Sequence, residues 1–130
     1  MIGIWSEYAS LYLIIAGVAT LLAFGLPLAL VPFRWAKVFR WEIPQQGNLA
    51  EFLGRSLGAM LVVVAIFSLI AARIPAVQPF FFNFVLVTFA AMLCLHVYGA
   101  IRKVQPITET YEIILWVILL ILTLCFYPRL

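Results

Sequence analysis

The sequence predicts an all-α protein, a four-helix transmembrane bundle, and three observations carry that prediction. Asp, Glu, Lys and Arg are missing from four stretches: Glu7 to Arg34, Arg55 to Arg73, Arg73 to Arg102 and Glu112 to Arg129, which leave 26, 17, 28 and 16 residues without charge. An apolar helix needs about 20 residues to cross the ~30 Å hydrocarbon core of a bilayer. The chain is also 67% apolar and 10% charged, where a soluble domain is about half apolar and a quarter charged. Finally, the segments between the runs are too short to fold separately, so residues 1–130 read as one domain.

The elements follow in order. Residues 1–9 form a short segment with Trp5 and Tyr8, rings that prefer a membrane interface. Glu7 and the lack of any Lys or Arg before the first run argue against a cleavable signal, so that span is expected to be retained. Span one runs from about Ser10 to Val31, and Pro27 inside it predicts a kink or an early end.

Residues Phe33 to Glu42, wound as a helix, place Trp35, Ala36, Val38 and Phe39 on one face and Arg34, Lys37 and Arg40 on the other. That pattern fits a short interfacial helix between helices 1 and 2. It fits equally a snorkelling end of span one, with Arg34, Trp35, Lys37, Arg40 and Trp41 as interfacial anchors. Pro44, Gly47 and Asn48 make a turn, and Asn48 with Glu51 has capping-box spacing, so span two should start at Leu49 and reach Ala72. Span three runs from about Pro79 to Ile101, opened by Phe80, Phe81 and Phe82. Pro106 blocks a helical continuation, and span four covers about Thr110 to Tyr127.

Charge sets the expected orientation. Arg34, Lys37, Arg40, Arg55, Arg102 and Lys103 cluster at loops 1–2 and 3–4, against Arg73 and Arg129 on the opposite side. Basic loops stay in the cytoplasm. This places both termini on the outer face, in a membrane of the bacterial inner type, and gives no sign of nucleic-acid binding. Cys94 and Cys125 lie at different depths, roughly 15 Å apart at 1.5 Å per residue, so no bridge is expected.

Few polar residues remain to carry chemistry. Glu51, Gly54, Arg55 and Gly58 share one face of span two. Glu51 can pair with Arg55, while Gly54 and Gly58 form a small-xxx-small pair for close helix packing. Packing and anchoring come first for this set, and a ligand site second. His96 is the only histidine, on a face with Met92, Gly99 and Lys103. A lone polar residue in a span commonly bridges helices. The alternative is a ligand role, in which Gly99 leaves room for a flat molecule and the imidazole holds a tetrapyrrole metal. Arg34, Glu51, Arg55, His96, Glu109 and Glu112 are candidates for one shared polar layer. No metal-ligand spacing, phosphate loop or dinucleotide motif is present, and Ser10, Ser56 and Ser68 lack a matched histidine and acid.

Ala16-Gly17, Pro32 and the run Leu53-Gly54-Arg55-Ser56-Leu57-Gly58 together give a layout that resembles small four-span bacterial membrane proteins of DoxX-like appearance. The resemblance implies four helices and carries over no catalytic residue.

These readings lead to a non-catalytic accessory subunit of a larger membrane complex, respiratory or photosynthetic in type, with lipids and other transmembrane subunits as partners. No enzyme activity, metal or cofactor is expected. The alternative is a lipid-, quinone- or pigment-binding module that uses His96, Gly99, Glu51 and Arg55, and a small transporter or enzyme ranks last.

Overall fold

The computed structural model describes residues 2–129, and among these it is all-helical with no strand. Four helical segments are long and apolar enough to cross a membrane: Ser6–Leu30, Asn48–Ala71, Pro75–Arg102 and Ile107–Cys125. The helices are α1 (Ala9–Thr20), α2 (Leu26–Leu30), α3 (Pro32–Val38), α4 (Asn48–Ala71), α5 (Gln78–Arg102) and α6 (Ile107–Cys125). A π-helical turn, Leu21–Gly25, joins α1 to α2, and single 3-10 turns at Ser6–Tyr8 and Pro75–Val77 lead into α1 and α5. Backbone contacts group the chain into two compact units, Leu13–Ile70 and a second made of Met1–Tyr12 with Ala71–Leu130.

In the unit Leu13–Ile70, the helix continues through Pro27 instead of ending there. Proline has no N–H to give to the carbonyl four residues back, here Ala23. The preceding turn widens into the π-helix, and the Trp35 indole N–H donates to the Ala23 oxygen at 2.9 Å. The orphaned acceptor is thus filled from α3. The first span stops at Val31, whose φ of −137° and ψ of 56° are not helical, because a residue before proline (Pro32) is pushed out of the helical region.

The expected helix over Phe33–Glu42 is realised as the shorter α3. Trp35 stacks on Phe39 at 4.4 Å and tilts against Phe24 at 5.8 Å. The helix closes at Arg40, which has φ of +62°, with Arg40 N–H donating to Lys37 O and Trp41 N–H to Ala36 O. That is the Schellman pattern, with a basic residue where glycine is usual. At the start of α4 the expected cap shifts by one residue. The Gly47 carbonyl accepts from the Glu51 N–H at 2.7 Å, Asn48 is already helical, and the Glu51 carboxylate turns to Arg55.

Glycines close this unit. A Cβ on Gly58 would lie 2.2 Å from the Ala29 nitrogen, and one on Gly54 would lie 2.8 Å from Pro32 Cβ. Gly17 sits against Ala65 and Ser68, and Gly25 against Val62. The Ser68 hydroxyl donates to the Leu13 carbonyl at 2.8 Å, and both Ala65 and Ser68 are buried.

The other unit is closed by side-chain bonds and rings. Thr123 donates to Leu119 O, and Tyr12 donates to the Thr123 hydroxyl at 2.6 Å. Tyr12 stacks on Phe126 at 5.0 Å and lies 5.7 Å from the fully buried Phe82. The Gln78 amide donates to Ser10 at 2.9 Å. The N-terminal segment is tied to the end of α6: Gly3 N–H donates to Leu124 O, Trp5 N–H to Cys125 O, and Arg129 reaches Ile2 O at 2.6 Å. Cys94 is exposed and Cys125 buried, and both are free thiols.

Candidate functional site

The strongest concentration of ionisable groups lies where α5 ends and α6 begins. Helix α5 stops in a second Schellman closure: Lys103 has φ of +54°, its N–H donates to Ala100 O, and Val104 N–H donates to Gly99 O. Pro106, extended at ψ 158°, then starts α6, and its carbonyl accepts the Glu109 N–H at 3.1 Å. This tight reversal packs α5 against α6 and brings His96 face to face with the first two turns of α6.

Three side chains converge there. The His96 Nε2 atom lies 3.1 Å from Glu109 Oε2 and 3.4 Å from Glu112 Oε2. His96 and Glu109 are buried at 5% and 8% exposure, and Glu112 is partly exposed. Glu109 and Glu112 are three apart on one helix, which puts both carboxylates on the same face. The other ring nitrogen is committed: His96 Nδ1 lies 2.7 Å from the Met92 carbonyl oxygen, which only accepts, so Nδ1 carries a proton. Trp116 packs on the imidazole at 5.5 Å and directs its indole N–H at Nε2 from 3.4 Å. Phe89 backs Trp116 at 5.6 Å. A side chain that can only donate therefore approaches Nε2, and two carboxylate oxygens face it.

Gln105 seals the turn. Its amide donates to the His96 carbonyl at 3.0 Å and to Thr110 Oγ1 at 3.2 Å. It also fills the face of Gly99: a Cβ there would lie 2.1 Å from Gln105 Oε1. The space that the sequence assigns to a flat ligand beside His96 is occupied by the chain's own amide.

The Glu51–Arg55 pair belongs to the other unit. Arg55 Nη2 meets Glu51 Oε1 at 2.9 Å, with both side chains more than 40% exposed. Such exposed pairs contribute only about 0.3–0.5 kcal/mol. The same guanidinium donates to Ala29 O at 2.9 Å and Leu30 O at 3.3 Å. These are last-turn carbonyls of α2, which the break at Val31 and Pro32 leaves short of helical partners. Arg55 thus caps α2, while Gly54 and Gly58 let α4 approach Pro32 and Ala29. A cavity of about 220 Å³ opens in this unit, lined by Leu28, Pro32, Phe33, Trp35, Trp41 and Gly54 among others. Arg34, Lys37 and Arg40 are exposed on and after α3.

Of the six residues expected in a polar layer, His96, Glu109 and Glu112 meet at one point, and Glu51 with Arg55 meet at another. Gln105 and Trp116 carry no role in the expectations drawn from the sequence. The usable signal was the register: Trp116 lies four residues after Glu112, on the same face of α6. The one-dimensional pattern contains no metal-ligand spacing, yet His96, Glu109 and Glu112 bring ligand atoms within 4.8 Å of one another. Compared with known proteins, the chain matches no family model, no curated protein and no solved structure.

Proposed function

We propose that the four long apolar helices cross a lipid bilayer and that the protein is a non-catalytic accessory subunit of a larger membrane complex. The observation that carries this reading is where the polar groups go. The span hydroxyls, amides and imidazole of Tyr12, Ser68, Gln78, His96 and Thr123 are spent on bonds within their own unit. The outward faces are left to large apolar side chains, among them Leu22, Phe52, Phe80, Val87 and Ile101, each more than 60% exposed. Soluble monomers rarely expose contiguous apolar patches beyond a few hundred Å², whereas lipid tails and partner helices accept them. The basic residues beside α3 and α5 orient loops 1–2 and 3–4 toward the cytoplasm, with both ends outside, as in a bacterial inner membrane.

Extraction in mild detergent followed by native mass spectrometry tests the proposal. The expected result is a fixed stoichiometry with larger membrane subunits. Recovery of the free chain alone, from cells expressing it at native level, would contradict it.

The second reading, a binding module built on His96, is supported by the convergence of that imidazole with two carboxylates. With Gln105 filling the face of Gly99, the centre suits a small cation better than a quinone or tetrapyrrole ring.

A further inference from the structure

We infer that His96, Glu109 and Glu112 form a site for a divalent transition-metal cation of the zinc class, bound by His96 Nε2 and one oxygen from each carboxylate. The first argument is a count of donors and acceptors. Met92 O holds the proton on Nδ1, and the Trp116 N–H is directed at Nε2, which marks Nε2 as an acceptor. Two carboxylate oxygens stand 3.1 and 3.4 Å from that same nitrogen. The imidazole lone pair and two carboxylates converge in a largely buried place, and an ion between them takes that lone pair in place of the Trp116 N–H. A metal ion serves all three, and it also offsets the repulsion between two carboxylates three residues apart on one helix.

The second argument is geometric. Metal–nitrogen and metal–oxygen bonds of about 2.0–2.2 Å put neighbouring ligand atoms about 3.0–3.5 Å apart. Both distances to Nε2 fall in that range, and all the ligand atoms lie within 4.8 Å of one another. The third argument is the outer shell. A metal-bound imidazole almost always donates its other N–H to a carbonyl or carboxylate, which fixes the tautomer and raises ligand basicity. His96 makes such a bond to Met92 O. The donor set of one imidazole and two carboxylates suits zinc, manganese or iron in the divalent state, and no thiolate takes part to favour softer ions. Glu112, the partly exposed member, gives the ion a way in from the α5–α6 turn. Bound there, the ion ties α5 to α6.

The test uses the full chain with a histidine-free tag, purified in mild detergent, stripped with a chelator and dialysed against zinc chloride or cobalt chloride. We expect one zinc per chain by elemental analysis and visible ligand-field bands with cobalt. Loss of an outer-shell group typically costs about 10–100-fold in metal affinity, so His96→Gln and Glu112→Gln should weaken zinc binding by at least roughly 100-fold. The exposed Glu7→Gln should bind as wild type. Circular dichroism confirms that each variant is folded, and should His96→Gln not fold, Glu112→Gln at the accessible edge decides. Absence of zinc and cobalt binding in the folded wild type overturns the inference, leaving only the hydrogen-bonded contact of His96 with Glu109. Wild-type affinity in a folded Glu112→Gln overturns it equally.

Discussion

The two compact units solve the same packing problem with different residues. In Leu13–Ile70 the helices meet through missing side chains: Gly58 against Ala29, Gly54 against Pro32, Gly25 against Val62 and Gly17 against Ala65 and Ser68. In the unit formed by the two ends of the chain, they meet through polar bonds and rings: Tyr12 with Thr123, Gln78 with Ser10, His96 with Glu109, and Tyr12 between Phe82 and Phe126. Lipid tails are as apolar as leucine, so helices in a bilayer gain nothing from hiding oil from oil, and close packing and interhelical hydrogen bonds remain. One unit relies mainly on the former and the other on the latter. Added volume should therefore damage the first, and removal of a single polar atom should damage the second.

The largest effect is expected from Gly58→Val. Its Cβ would meet backbone atoms of Leu28 and Ala29, which cannot rotate aside, and overpacking of this kind costs about 3 kcal/mol. Thermal unfolding in detergent measures it, and a wild-type transition in G58V would break the glycine half of the comparison.

Next comes Trp35→Phe, which keeps a ring beside Phe39 but strips the donor from Ala23 O. An acceptor left bare costs roughly 1–3 kcal/mol. Pro27→Ala restores a backbone N–H in register with that carbonyl, so the double variant should recover stability relative to W35F. A double variant as unstable as W35F would show that the indole acts by packing alone.

The smallest effect is Tyr12→Phe. Thr123 keeps its bond to Leu119 O and loses only the tyrosine donor, at a cost of about 1 kcal/mol. No change in stability would mean that rings, not the hydroxyl pair, hold that part of the unit.

The long helices were legible because charge is the strongest signal in an apolar chain. The four charge-free runs fall inside the four long helices, apart from residues 31–33, the turn at residues 72–74 and the residues beyond Cys125. Their ends were less legible where the closure is non-local. Pro27 announced a break, but the donor that lets the helix continue comes from Trp35, on a different helix. The i,i+4 pairing of Glu51 with Arg55 could be read from spacing, whereas the reach of Arg55 to Ala29 and Leu30 could not. Arg40 and Lys103 close two helices in the left-handed conformation without the glycine that usually signals it. At the candidate site, Gly99 leaves a helix face without a side chain, but nothing in a one-dimensional pattern says that Gln105 fills it. His96 met Glu109 and Glu112 only because the turn at Lys103 to Pro106 is tight.

Crossing of the bilayer by each long helix is the premise beneath both units, and α5 offers the cleanest test. Ala76 precedes it and Val104 follows it, and both are exposed. In a chain with Cys94 and Cys125 replaced by alanine, a membrane-impermeant thiol reagent should label Ala76→Cys in intact cells and Val104→Cys only after permeabilisation. Labelling of both positions from the same side would contradict the account.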